Sequence, residues 1–320
     1  MTAAPPVSVI LPVRNEVGSL EATLEAILAQ DYPGDLDVHV VDGGSDDGTI
    51  ALLERFAERE PNFRWSSNPQ GRTARSLNQG IASTSGEIVV RCDGRSLLPS
   101  HYVSTAVRLI TETGAANVGG IQRAVGRGWV QKAVALATNS VFGAGDSRFR
   151  TGGEPGPVDT VYLGVFPRRV LEEVGGFDEN FVRNQDAELN SRIRKSGRIV
   201  YFTPELSAEY EPRGSLGSLG SQYFEYGQWR RETTRAHPEH LAWRQLIPPL
   251  FVLGLVASLV LGVFGQARAA LVVPVVYGAF LLLAVISLAG RGGAAALLTP
   301  IVLPVIHVSW GVGFLVGPIK

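Results

Sequence analysis

The chain has 320 residues, 45% of them apolar, and a formal net charge of -1 at pH 7. That balance, with no basic stripe carrying interleaved aromatics, excludes a general nucleic-acid binder, and the single cysteine, Cys92, excludes an internal disulfide and any cysteine-based metal cluster. Charged residues almost vanish after Leu246, whereas the preceding part holds nearly all of the Asp, Glu, Lys and Arg, so the chain is written for two environments. The opening MTAAPP lacks a basic region and the apolar run Val7 to Val13 is too short for a signal-peptide core, so the first domain is expected to stay where it is made.

Val7 to Leu11 reads as a buried strand closed by Pro12, which cannot donate to a sheet ladder; Arg14, Asn15 and Glu16 follow. Ser19 can cap a helix Leu20 to Gln30, whose Leu20, Leu24, Ile27 and Leu28 share a face. Val38 to Val41 is a second strand, delivering Asp42 and the backbone of Gly43 and Gly44 to its carboxyl end, where ligands bind in open parallel sheets. The Asp42 carboxylate is placed to accept a hydrogen bond from a base or ribose, and Ser45, Asp46 or Asp47 to cap the helix Ile50 to Arg59. Strand, helix, strand, helix at this spacing predicts a doubly wound α/β domain with right-handed crossovers.

A helix over Gln70 to Ser83 carries Arg72 and Arg75 near its first turn, either as a solvated face or as a clamp on a diphosphate. Glu87 to Cys92 is a strand that leads into Asp93. Two carboxylates, Asp42 and Asp93, at the ends of neighbouring strands suggest a cation or polyol between them. Tyr102 to Thr113 is predicted helical and Asn117 to Ile121 extended. From Thr138 to Asp159 the chain is dense in Gly and Pro and holds Arg148 and Arg150, as a functional lid or a disordered segment does, and a lid is expected. A strand at Val161 to Val165 and a helix Arg168 to Val174 ended by Gly175 and Gly176 come next. The helical pattern from Ala187 to Ser196 puts Asp186 at a helix N-terminus; spacing alone does not separate capping from catalysis there.

Gly214 to Arg244 mixes aromatic residues with Arg230, Arg231, Arg235 and Arg244, the composition of a segment in the membrane interface. Three nearly uncharged runs, 246-265, 269-289 and 294-318, each have roughly the 20 residues needed to cross a bilayer; Pro300, Pro304 and His307 leave the third as a span or a re-entrant segment. The organisation expected is a soluble domain 1-213, an interfacial segment 214-245 and a membrane domain 246-320. Arginines before the first span place the soluble domain in the cytoplasm of a multi-pass inner-membrane protein, with Lys320 on the far side.

The stretches VSVILPVRNE (Val7 to Glu16), VVDGGSDDGT, RCDG (Arg91 to Gly94), GGFDE (Gly175 to Glu179) and NQDAEL (Asn184 to Leu189) occur in the order found in family 2 glycosyltransferases of the GT-A fold, which this chain resembles. Within that family it is similar to the succinoglycan-type membrane glucosyltransferases of bacteria. The resemblance implies inverting transfer of a hexose, glucose as the guess, from a nucleotide-diphosphate sugar, UDP as the guess, to a hydroxyl. Pro12, Arg14, Glu16 and Asp42 match the positions that embrace the nucleoside, Asp93 matches the first aspartate of the metal-binding Asp-x-Asp motif, and Asp186 matches the catalytic base. Two departures stand out: Arg95 replaces the second metal-binding carboxylate and Gln185 replaces a glutamate. Mg²⁺ or Mn²⁺ would then be held by Asp93, diphosphate oxygens and water, or Arg95 would supply the positive charge itself. Gln228 and Arg231 keep the spacing of the Gln-x-x-Arg-Trp motif of processive relatives, as contacts to acceptor or diphosphate, but the Trp is absent, which favours one sugar per acceptor. A tethered cytoplasmic site suits a polyprenyl-diphosphate-linked saccharide as acceptor and membrane lipid as partner. The rival readings are a polyprenyl-phosphate glycosyltransferase and a non-catalytic membrane scaffold.

Overall fold

The strand VSVILPV is apolar at nearly every position because both of its faces are covered, the pattern of a central parallel strand. In the computed structural model, which describes residues 4-238 and 241-318, this is β1 (Val7–Val13); the expected position of Lys320 lies outside the described residues. There follow α1 (Val17–Leu28), β2 (Leu36–Asp42), α2 (Thr49–Arg59), β3 (Phe63–Ser67), α3 (Thr73–Ala82), β4 (Ile88–Arg91), β5 (Ser96–Leu97), α4 (Tyr102–Thr113) and β6 (Asn117–Ala124). Three helices come next: α5 (Trp129–Thr138), α6 (Val141–Ala144) and α7 (Arg148–Thr151). Then come β7 (Gly156–Pro157), β8 (Tyr162–Pro167), α8 (Arg168–Val174), α9 (Gln185–Lys195) and β9 (Val200–Tyr210). The remainder is helical: α10 (Leu216–Ala236), α11 (Ile247–Val263), α12 (Ala267–Ala270), α13 (Val272–Gly292) and α14 (Thr299–Val316). The chain divides into two units, 1-123 with 152-210, and 124-151 with 211-320.

The first unit is built on one mixed sheet in the order β3-β2-β1-β4-β8-β6-β9-β5, with β7 on β9. Its first four strands are parallel, as the alternating strand and helix pattern requires, and the rest pair antiparallel where described. Leu20, Leu24 and Ile27 of α1 are fully buried against Val9, Leu11 and Val40, each worth about 1.5–3 kcal/mol by area.

Several expectations need correction. Pro12 does not close β1 but lies inside it, opposite Val41. Backbone alternation turns its missing donor toward the β4 side, where the ladder has already ended with the pair Ile10 and Arg91. Ser19 does not cap α1; the cap position is Glu16, and the Ser19 hydroxyl donates to the Gly94 carbonyl at 3.1 Å. Asp42 and Asp93 do not end neighbouring strands, because β1 lies between β2 and β4. The stretch Thr138 to Asp159 is not a continuous loop: it holds α6, α7 and β7 and crosses the boundary between the units.

In the second unit α10 lies directly on α14: a Cβ on Gly227 would sit 2.1 Å from the Trp310 carbonyl oxygen, and one on Gly313 2.0 Å from that of Phe224. Two helical stretches, Trp243–Val263 and Ala267–Val316, are long and apolar enough to cross a membrane. The second contains α13 and α14, separated at Gly293, whose φ is 50°. Leu259, Val263 and Phe264 are 71%, 78% and 76% exposed, which the core helix of a water-soluble domain would not tolerate. His307 is fully partnered among these helices, its Nδ1 2.9 Å from the Tyr277 hydroxyl and its Nε2 donating to the Phe142 carbonyl at 2.9 Å.

His39 on β2 is 5% exposed, with Nε2 2.9 Å from the Ser66 hydroxyl. Burial lowers its pKa below the ordinary 6.5, with nearby Arg64 adding to the effect and Asp37 opposing it. The unfolded chain therefore takes up this proton first as pH falls. The stability His39 confers is complete above about 6.5 and is lost between there and its lower folded value. A thermal melt of the detergent-solubilised protein should fall in midpoint from about pH 8 to about pH 5.5, and His39→Gln should flatten that part of the profile; an unchanged slope would remove His39 from the account.

Candidate active site

At the carboxyl ends of the parallel strands, side chains of the second turn serve the first helix. The backbone N–H groups of Asn15, Glu16 and Val17, orphan donors at the start of α1, donate to Ser45 Oγ (2.8 Å), Thr49 Oγ1 (3.0 Å) and Asp47 Oδ2 (3.2 Å). Asp46 N–H in turn donates to Asn15 Oδ1 at 2.9 Å, which favours the left-handed φ of 56° at Asn15. Asp47 also accepts from Thr49 N–H at 3.0 Å, so of the three candidate caps it alone serves the start of α2. Asp42 is fully buried, and its carboxylate accepts from Gly44 N–H (2.9 Å), Ser45 N–H (3.0 Å) and the Ser45 hydroxyl. In this structure Asp42 thus organises the turn it precedes.

The β1–α1 loop links this turn to the β4 end. Arg14 extends over Gly71, its Nη1 only 3.0 Å from where a Cβ on that residue would lie. Glu16 turns the other way and pairs with Arg95, whose Nε donates to it at 2.5 Å. Arg72 occupies the cap position of α3 and donates to the Glu179 carbonyl at 3.4 Å. Asn78 exchanges hydrogen bonds of 2.8 Å with both backbone groups of Phe177, which pins the GGFDE turn to α3. Arg75 is exposed and donates to Gln70.

The centre of the site is a residue the sequence reading passed over. Arg91, the last residue of β4, has a side chain only 7% exposed; its guanidinium donates to Asp93 Oδ1 at 3.0 Å and forms an ion pair with Asp186 Oδ1. Phe177 lies beneath it, ring centroid 6.0 Å away. The signal was a charged residue closing an apolar strand, two positions before Asp93 and so on the same face. Asp186 lies in the first turn of α9, next to Gln185, which is buried. Glu188 is buried and paired with Arg192 through two contacts of 2.6 Å; Arg192 also donates to the carbonyls of Val174 and Gly176 (2.5 and 2.8 Å), locking α9 to the end of α8. Asn190, one turn beyond Asp186, accepts from Asn117 on β6 at 2.7 Å. Tyr162, hydrogen-bonded to Ser96 at 2.6 Å, is held far above the ordinary tyrosine range first by burial and then by the Asp93 charge, so it stays a neutral hydroxyl.

Among the described residues no three His, Cys, Asp or Glu side chains cluster as a metal cage. Arg91 engages Asp93 Oδ1 and leaves Oδ2 available, while Arg95 is turned to Glu16. These residues fit a divalent ion held by one carboxylate oxygen and a ligand's own phosphates; they do not fit one held by protein alone. The other candidates belong to the second unit. Arg148 and Arg150 are in the four-residue α7. On α10, Gln228 donates to the Gly317 carbonyl at 2.8 Å and Arg231 to those of Phe314 and Leu315.

A parallel half-sheet with a Gly-Ser-Asp turn and Asp93 at its carboxyl edge, an antiparallel continuation and Asp186 in the first turn of α9 define a GT-A domain, the fold of nucleotide-sugar-dependent transferases. A family model described as glycosyl transferase family 2 matches residues 8-175, and the chain belongs to that family and is a glycosyltransferase. It is 30% identical to the succinoglycan biosynthesis protein ExoA of Rhizobium meliloti strain 1021 over 96% of this chain and 93% of that one. It is 23% identical, over 80% of this chain and 82% of the relative, to a dolichyl N-acetyl-alpha-D-glucosaminyl phosphate 3-beta-D-2,3-diacetamido-2,3-dideoxy-beta-D-glucuronosyltransferase of Methanococcus voltae. Among solved structures, the mannosyltransferase PcManGT from Pyrobaculum calidifontis, in complex with GDP-Man and Mn2+, superposes with a TM-score of 0.62 at 24% identity, covering 96% of this chain and 86% of that one. S. aureus TarS 1-349 in complex with UDP-GlcNAc superposes with a TM-score of 0.52 at 16% identity, covering 71% and 66%.

Proposed function

We propose that the protein moves a hexose, with inversion, from a nucleotide-diphosphate sugar to a lipid-linked saccharide at the cytoplasmic face of a bacterial inner membrane, in exopolysaccharide or envelope glycan synthesis. The observation that carries this reading is the meeting of Asp93 and Asp186 on the buried guanidinium of Arg91. Support for the pathway comes from the 30% identical relative of succinoglycan biosynthesis, and for the lipid-linked acceptor from the apolar stretches after Trp243.

In the proposed reaction the Asp186 carboxylate takes the proton of the acceptor hydroxyl as its oxygen bonds to the anomeric carbon and the bond to the diphosphate breaks. The nucleoside diphosphate leaves with the bonding electrons on the opposite side. Arg14 and Arg72 line the donor side of the sheet edge, next to the turn that Asp42 organises. Mg²⁺ or Mn²⁺, bound by Asp93 and the donor's phosphates, would neutralise the departing charge. Arg148 and Arg150 are proposed as lid or diphosphate contacts, and Gln228 and Arg231 as acceptor or diphosphate contacts that would give up their present carbonyl partners. Helix α10 is proposed to lie in the membrane interface, with α11, α13 and α14 as three spans.

A donor screen on the detergent-solubilised protein, reading released nucleotide, tests this directly. Turnover is expected with UDP-glucose and a polyprenyl-diphosphate sugar, to be absent with water-soluble oligosaccharides, and to fall at least about tenfold with excess EDTA. Equal use of soluble acceptors would overturn the lipid-linked assignment, a product whose sugar sits directly on lipid phosphate would favour the polyprenyl-phosphate reading, and full activity in EDTA would remove the metal.

A further inference from the structure

A buried arginine that closes an apolar strand is costly unless it is paired, and here both of its partners belong to the proposed reaction. Arg91 contributes Nη2 to Asp93 Oδ1 and Nη1 to Asp186 Oδ1, and its plane rests near the Phe177 ring. The two carboxylates are 37% and 36% exposed, while the guanidinium between them is 7% exposed. The acids therefore face solvent and substrate with the cation as their floor. Two stretches distant in sequence converge here: the end of β4 with the turn after it supplies Arg91 and Asp93, and the first turn of α9 supplies Asp186. Two like charges this close would repel if the cation were absent. The fork of a guanidinium fixes the direction of each carboxylate in a way a point charge cannot.

We propose that Arg91 is a positioning residue: it holds the Asp186 carboxylate toward the acceptor side and joins it to Asp93, so that the group that meets the acceptor is registered against the group that meets the donor diphosphate. This rests on the assignment of Asp186 as base. Each carboxylate meets Arg91 most closely through Oδ1, and the second oxygen is assigned to the reaction: Oδ2 of Asp93 for the donor's phosphates and their cation, and Oδ2 of Asp186 for the acceptor proton. The bridge thus sorts the four carboxylate oxygens into two that set geometry and two that work. Removing the guanidinium leaves both acids in place but lets them separate, and displacement of a reacting group by about 1 Å costs on the order of a hundredfold in rate.

The test compares Arg91→Met, Arg91→Lys, Asp186→Asn and the Arg91→Met/Asp186→Asn double variant of the full chain in detergent. It follows donor affinity by calorimetry with UDP-glucose, kcat for transfer, and the thermal midpoint. Arg91→Met is expected to lower kcat about a hundredfold while the donor Kd stays within about threefold, since Asp93 and the donor side are retained. Arg91→Lys keeps the charge without the fork and should recover about tenfold of that loss. Adding Arg91→Met to Asp186→Asn should cost little more, because a positioning group has nothing left to position. A kcat within threefold of wild type for Arg91→Met, or full additivity in the double variant, would overturn the proposal, as would parallel loss of midpoint and donor binding in both Arg91 variants, which marks a purely structural arginine. Undiminished turnover by Asp186→Asn would instead sink the base assignment beneath it, whatever the Arg91 variants do.

Discussion

Asp186→Asn is expected to lower transfer by a factor of about a thousand or more while leaving the donor Kd within a few-fold of wild type. General-base assistance is worth about 10²–10⁴ in rate. Asparagine preserves the shape of the side chain and keeps an oxygen facing Arg91, whose charge stays paired with Asp93, so the change removes the ability to take a proton and one half of the ion pairing. Helix α9 should be undisturbed, because its position is set elsewhere. Glu188 and Arg192 fasten it to the carbonyls of Val174 and Gly176, and Asn190 fastens it to Asn117. In the proposed reaction donor binding falls to Arg14, Arg72 and Asp93, which the substitution does not touch. Initial-rate measurement of released nucleotide, paired with calorimetric titration of UDP-glucose, separates the two quantities. Turnover above about a tenth of wild type would show that another group accepts the proton.

The parts of this architecture legible in the sequence are those where one physical demand dominates. Continuous apolar runs such as VSVIL and VHVV have no place except a sheet covered on both faces, and the spacing of α1, α2 and α4 follows from apolar periodicity. Elements with mixed demands were missed. The edge strand β3, FRWSS, is half exposed and reads as loop, and β9 carries Pro204 in its middle. Helix α5 lies in a stretch rich in glycine, and its support comes from α13 and α14, far along the chain.

The site was legible to a similar extent. Asp93 and Asp186 were found as acids next to strand or helix ends, but their mutual partner was not, since no local rule says where a strand-end arginine points. Likewise Ser45 and Asp47 read as caps of their own helix, whereas the fold also uses them on its neighbour, a choice set by the parallel pairing of β1 and β2.

Gly313→Val and Gly227→Val should each destabilise the protein severely, by about 3 kcal/mol or more, beyond the usual cost of overpacking because the obstacle is main chain. Helices α10 and α14 meet through these glycines: the two added Cβ atoms would fall 2.0 Å and 2.1 Å from carbonyl oxygens of the facing helix, and a helix carbonyl cannot move aside as a flexible side chain can. Small residues that let backbones approach are a recurrent means of helix association where apolar burial gives no preference for helix over lipid. Gly311, whose Cβ would meet the Pro248 carbonyl oxygen at 2.5 Å, extends the same logic to α11. Gly278 on α13 supplies the control, since nothing lies within 4 Å of its added Cβ, so Gly278→Ala should be neutral or slightly stabilising by removing backbone freedom from a helix interior. Fluorescence size-exclusion of heated detergent extracts reads all three variants: the two valine substitutions should lose the monodisperse peak at temperatures where Gly278→Ala keeps it. A wild-type midpoint for Gly313→Val would mean that α10 and α14 do not meet at these glycines.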